Sequence, residues 1–219
     1  MKLKAGTLAL GTRRDAATWG SGCMTAGLDL THSVRKSTPS LEEVRDIFNA
    51  PLDWLYLGGH FSGRELYNED HSFGLKFEAT HIEVRQDGSA VARLSPEDSS
   101  MSLGATVAVV LWGGCSVCGS AETVRVLRKL FRNHTLLGFA GLTGQAIVDA
   151  MLGGGFMKKS HFFRQVEGDI ADPDLVAQAW MRAAKAGYGG GSIESIFRAV
   201  DYSGQGWMLR DGKIVRWNV

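Results

Sequence analysis

Two side chains with the chemistry of an acyl-transfer site, His60 and Cys115, stand in matched surroundings. A thiol suits attack on a carbonyl near neutral pH, because an adjacent imidazole can take its proton and leave a strong nucleophile. His60 closes the apolar run Leu52-Asp53-Trp54-Leu55-Tyr56-Leu57-Gly58-Gly59, and Cys115 closes Thr106-Val107-Ala108-Val109-Val110-Leu111-Trp112-Gly113-Gly114. The paired glycines before each reactive residue are expected to leave room for a substrate backbone, which makes Gly59 and Gly114 candidate substrate-binding positions. The backbone N–H groups of Phe61 and Cys115 are the candidate donors to the oxyanion that attack on a carbonyl creates. Glu69 and Asp70 follow shortly after His60 and are candidates to line a pocket for a basic substrate side chain, beside the plainer reading of a solvated acidic turn.

The elements that position these residues follow from the pattern of the chain. Both apolar runs are short and closed by glycines, as expected of parallel strands covered on both faces. If they are neighbours, His60 and Cys115 emerge at the same carboxyl edge of the sheet, where open α/β sheets place their sites. Ser40 with Glu43 forms a capping box for a helix whose Leu41, Val44, Ile47 and Phe48 share one face. Asp87-Gly88 marks a hairpin between residues 79–84 and 90–94. Ser120 opens a helix that packs Val124, Leu127, Leu130 and Phe131 on the sheet. A strand over 136–141, a helix over 145–151, a helix opened by Asp172-Pro173 and stopped at Gly187, and a terminal hairpin about Asp211-Gly212 complete the pattern. The first forty residues read as mixed, with one strand near Leu28–Val34 and Cys23 as an incidental thiol in a glycine-rich loop. The predicted fold class is α/β, a mainly parallel central sheet with helices on both faces and β-hairpins at its edge or as inserts. One domain is expected over residues 1–219, its core at about 28–155 and a C-terminal helix and hairpin over 172–219.

Composition bounds the partners. The chain has 219 residues, 44% hydrophobic and 21% charged, and 24 Lys and Arg against 23 Asp and Glu. A charge this close to zero gives no reason to expect nucleic acid, and the basic helix residues Arg125, Arg128, Lys129 and Arg132 read as a solvated face. The sequence carries no apolar run of about 18 residues that would span a bilayer. Thr7-Leu8-Ala9-Leu10 is too short for a signal-peptide core. Three cysteines do not make a disulfide framework. The expectation is a cytoplasmic protein without membrane, nucleic-acid, metal or cofactor partners, acting on a peptide or protein and open to a regulatory protein partner.

The blocks Gly58-Gly59-His60-Phe61-Ser62-Gly63 and Val109-Val110-Leu111-Trp112-Gly113-Gly114-Cys115 resemble the two signature blocks of the caspase-like cysteine peptidases of clan CD. That group includes caspases, metacaspases, clostripain and gingipain, and bacterial CHAT proteases. The resemblance extends over about residues 41–155, through the intervening hairpin and the helix and strand that follow. It implies a caspase-like fold, Cys115 as nucleophile, His60 as general base, and endopeptidase activity through an acyl-enzyme. The chain departs from the usual pattern in two places. Phe61 stands where the family has glycine, so its side chain must turn away from the site. Gly113-Gly114 stands where the family often has an acidic residue, Gln-Ala or a small polar pair.

Two other readings share these residues. A caspase-like domain without proteolysis would serve as a binding or signalling module. Cys115-Ser116-Val117-Cys118 also has the spacing of a thiol-disulfide oxidoreductase, with the first thiol at a helix N-terminus, although His60 then has no task. A zinc site lacks its second pair of ligands, because His32, His71, His81, His134 and His161 show no ligand spacing. Trp207 and Trp217 in the terminal hairpin read as packing residues.

Overall fold

Two buried strands next to one another form the middle of the molecule, and everything else is arranged about them. The computed structural model describes residues 2–11, 14–96, 103, 107–132, 134–152 and 173–219. In chain order the large sheet is built from β1 (Lys4–Ala9), β2 (Asp29–Arg35), β3 (Trp54–Gly58), β9 (Val109–Trp112), β10 (Thr135–Phe139), β11 (Phe197–Val200), β12 (Gly206–Arg210) and β13 (Lys213–Trp217). Its spatial order is β13-β12-β11-β10-β9-β3-β1-β2. The strands from β2 to β10 run parallel, and β11 to β13 continue the sheet antiparallel.

Side chains alternate strictly between the two faces of the central strands. Trp54 and Tyr56 of β3 and Val109 and Leu111 of β9 enter one core, whereas Leu55, Leu57, Val110 and Trp112 enter the other. Both faces are therefore dry, which is why these strands are apolar throughout rather than alternating. The first face is covered by α1 (Arg14–Ala26), α4 (Gln145–Ala150) and α5 (Pro173–Tyr188), and the second by α2 (Leu41–Asn49) and α3 (Ala121–Leu130). The α/β class with helices on both faces, expected from the sequence, is the one found.

Between β3 and β9 the chain inserts a second, antiparallel sheet: β4 (His60–Ser62), β5 (Glu65–Tyr67), β6 (Phe73–Phe77), β7 (Ile82–Gln86) and β8 (Ser89–Leu94), in that order. Its inner face supplies Leu66, Phe73, Phe77, Ile82 and Val84 to the second core. Phe77 meets Trp112 edge-on at 5.1 Å between centroids and lies 6.2 Å from Phe131 of the β9–β10 connection. The hairpin at Asp87-Gly88 has both residues at positive φ, 47° and 78°, which matches the twist of the paired strands. The terminal hairpin repeats this at Asp211 and Gly212, with φ of 51° and 67°. The predicted capping box is present: Ser40 Oγ accepts from the Glu43 N–H, and the Glu43 carboxylate accepts from the Ser40 N–H.

Several expectations are corrected. The core does not begin near residue 28, because β1 lies between β2 and β3 and pairs with both. Cys23 is on α1, not in a loop; it is fully buried, and burial pushes its thiol well above the ordinary range. The stretch after His60, in which the sequence analysis marked no strand, forms β4, β5 and β6. Helix α5 passes Gly187 and ends at Tyr188. Its predicted capping residue Asp172 lies outside the described residues, as does His161.

Glu194 ties the end of α5 to the terminal hairpin, because its carboxylate accepts the N–H groups of Gly190 and Gly212. These donors hold its pKa below the ordinary carboxylate value. A carboxyl with a depressed folded-state pKa stabilises the fold above its unfolded value, near 4.3, and that contribution disappears as pH falls through the lower folded value. Glu194→Gln is therefore expected to melt below the wild type at pH 7. The two melting curves should converge as the pH is taken below about 4, which thermal denaturation against pH measures.

Candidate active site

The site is set by how β3 and β9 end. They pair in parallel with Leu57 opposite Trp112, and the Gly113 N–H donates to the Leu57 carbonyl at 2.8 Å. The two chains leave the sheet together, so His60 and Cys115 follow from neighbouring strands at one carboxyl edge. His60 opens β4 of the inserted sheet, whereas Cys115 stands in the turn after β9. Ser116, immediately beyond, has a left-handed φ of 55°, and this turns the chain sharply behind the thiol.

Glycine at 113 and 114 is required by close approach. A Cβ on Gly113 would fall on the Tyr56 hydroxyl and come within 2.9 Å of Asp15 Oδ2. A Cβ on Gly114 would lie 2.8 Å from Phe61 Cβ and 3.2 Å from the Gly59 carbonyl oxygen. Gly59 is as confined, since its Cβ would meet Leu66 at 2.9 Å and the Tyr67 carbonyl oxygen at 3.1 Å. On the side where a Cβ would stand, these glycines face the protein itself. The glycines let the two strand ends close on each other.

Phe61 turns its side chain into the second core, where it is 4% exposed and meets Trp112 edge-on at 5.3 Å. This is the orientation that a bulky residue after His60 needs if its backbone is to border the site. Beneath Gly113, the Tyr56 hydroxyl donates to Asp15 at 2.6 Å, and the other oxygen of the Asp15 carboxylate accepts the Ala16 N–H at 3.0 Å. Both residues are fully buried. Neither was picked out from sequence as part of the site's support.

Cys115 is half-buried and engaged with the loop after β10. Its sulfur accepts the Thr143 N–H at 3.2 Å, and its S–H donates to the Thr143 carbonyl at 3.5 Å. Thr143 was not singled out, although its loop leaves the same sheet edge one strand away, where α/β proteins gather site residues. His60 is engaged by the meander: its Nε2 is 3.1 Å from Glu69 Oε2, and its ring stacks on Tyr67 at 5.7 Å between centroids. Asp70 accepts both the N–H and the O–H of Ser72, which hold its carboxyl below the usual range. Both candidate acidic residues thus already accept hydrogen bonds, Glu69 from His60 and Asp70 from Ser72.

Cys118 belongs to the core. It is 1% exposed, its N–H donates to the Phe139 carbonyl, and burial pushes its thiol up to about 12. A resolving thiol must be reachable and ionisable, and this one is neither. Among the described residues there is no grouping of three or more His, Cys, Asp or Glu side chains that could hold a metal ion, and no helix is long and apolar enough to cross a membrane.

No family profile and no curated protein matches this chain. Among solved structures, the chain is similar to a secreted C11 cysteine protease from Bacteroides thetaiotaomicron, determined in complex with an irreversible peptide inhibitor. The match has 11% identity and a TM-score of 0.44, and covers 93% of this chain and 67% of that one.

Proposed function

We propose that this chain is a cysteine endopeptidase, with Cys115 as nucleophile and His60 as general base. The observation that supports the reading is the parallel register of β3 and β9, which brings the segments carrying His60 and the half-buried Cys115 off the same carboxyl edge of the sheet. In the reaction His60 takes the thiol proton and Cys115 Sγ bonds to the carbonyl carbon of the scissile peptide. The oxyanion so formed is stabilised by the N–H groups of Cys115 and Phe61. Collapse breaks the C–N bond as His60 returns the proton to the departing amine, leaving a thioester. Water, deprotonated by His60, then attacks the thioester and releases the acid and the thiol. A second reading, a peptide-binding module without turnover, is favoured by one observation, the engagement of the Cys115 thiol by the Thr143 backbone.

An electrophilic peptide probe separates the two. The wild type, treated with peptidyl acyloxymethyl ketones carrying Arg, Asp, Asn or Leu next to the warhead, is expected to gain one adduct that maps to Cys115. Cys23 and Cys118 should stay unmodified until the protein is denatured, because both are buried. Absence of any Cys115 adduct across the set would reject the peptidase and leave the binding module.

A further inference from the structure

We infer that Glu69 is a positioning residue for His60, fixing the imidazole with its proton on Nε2 so that Nδ1 is the nitrogen left to take the thiol proton. The inference rests on the peptidase reading for its catalytic consequence, and on this structure for its geometry. Neutral imidazole has one donor and one acceptor nitrogen, and the partner of one decides the role of the other. A carboxylate only accepts, so its contact with Nε2 at 3.1 Å requires the proton there.

Glu69 itself is exposed, and an exposed ion pair contributes little stability. What makes this contact a built one is the turn beneath it. Asn68, next in sequence, is 1% exposed and uses its whole amide: Nδ2 donates to the Ser37 carbonyl and to Ser72 Oγ, and Oδ1 accepts the Phe73 N–H. Asp70, on the other side, closes the turn through Ser72. The Glu69 backbone is therefore held between two anchored residues. The imidazole is held as well, because the register sets His60 opposite Tyr67 and the rings stack with planes 22° apart. Tyr67 is backed in turn by His71, at 4.2 Å between centroids. The hydrogen bond fixes the tautomer, and the stack restrains rotation of the ring.

Because the carboxylate sits in water, its Coulombic effect is screened, and the acceptor oxygen is what matters. Glutamine at this position keeps an acceptor, whereas alanine has none. The test uses the full-length chain in three forms, wild type, Glu69→Gln and Glu69→Ala. The ¹⁵N shifts of His60 are read at pH 8, where imidazole is ordinarily neutral, and steady-state peptide hydrolysis is measured beside them. The wild type and Glu69→Gln should show the Nε2–H tautomer, and Glu69→Ala a mixture. Turnover should follow: kcat falls about tenfold in Glu69→Ala with KM unchanged, and stays within about threefold of wild type in Glu69→Gln, as for other residues that orient a reactive ligand. An unchanged tautomer in Glu69→Ala overturns the inference whatever the activity. A loss confined to KM also overturns it, because Glu69 would then be acting on the substrate. A shifted tautomer in a wild-type background that hydrolyses no peptide would retain the orientation of His60 by Glu69 and reject the peptidase reading instead.

Discussion

Cys115→Ala and His60→Ala are each expected to lower peptide hydrolysis by about 10³-fold or more, with the double variant hardly slower than either. In the proposed reaction the two residues act on one proton and one bond: without the imidazole the thiol is not activated, and without the thiol the imidazole has nothing to activate. Their effects therefore cannot add. Cys118→Ala belongs in the same assay, because the oxidoreductase reading needs Cys118 and the peptidase does not. Its expected cost is to stability, about 1 kcal/mol for a small buried side chain, with turnover close to wild type. Should Cys118→Ala abolish activity that His60→Ala leaves intact, the peptidase assignment fails.

The second large effect is expected at Gly113→Ala, a single added methyl. The new Cβ would fall on the Tyr56 hydroxyl and lie 2.8 Å from Tyr56 Cζ and 2.9 Å from Asp15 Oδ2. Tyr56 has nowhere to move, because its ring is fully buried and stacked on Trp19 at 5.7 Å. Overpacking costs about 1–3 kcal/mol, and disturbing a buried hydrogen bond to a charged group costs about 1.5–3 kcal/mol more. A loss of roughly 2.5–6 kcal/mol is a large part of the stability of an ordinary domain, and urea denaturation reads it directly. Tyr56→Phe alone should also destabilise, since Asp15 loses that donor. Placed on Gly113→Ala, the same change removes the worst contact, so the double variant should be more stable than the sum of the two predicts. Additive losses, or Gly113→Ala within about 0.5 kcal/mol of wild type, would mean that the hydroxyl is not held against Gly113.

What could be read in the sequence was whatever local rules dictate. The capping box at Ser40 and Glu43, the two Asp-Gly hairpins and the apolar runs of β3 and β9 each carry their own signal, and from the last of these came the shared edge for His60 and Cys115. In the N-terminal unit the strand near Leu28–Val34 is β2, but β1 and α1 were missed because their signals are tertiary. β1 is Lys-Ala-Gly-Thr-Leu-Ala, and α1 contains Gly20, Gly22, Thr18 and Ser21, residues of weak local preference that are ordered by burial between neighbours. β4 and β5 have only three residues each, too short to show alternation. The partners of the candidate dyad were illegible for a related reason. Thr143 and Asp15 meet the site only through strand order, and the contact of Glu69 with His60 depends on a hairpin whose register a sequence does not print.

The inserted meander also governs when the site comes into being. β3 and β9 are neighbours in the sheet, yet the whole of β4 to β8 must be synthesised between them. Closing so long a loop before the pairing is rewarded makes this a late, nonlocal contact, and such contacts slow folding. On a ribosome adding about 5–20 residues per second, β3 waits several seconds with one apolar edge bare. During that interval a nascent chain carries a complete imidazole strand and no thiol opposite it. On the proposed reading the dyad cannot exist before β9 docks, and that docking covers the β3 edge on which two unfinished chains would aggregate.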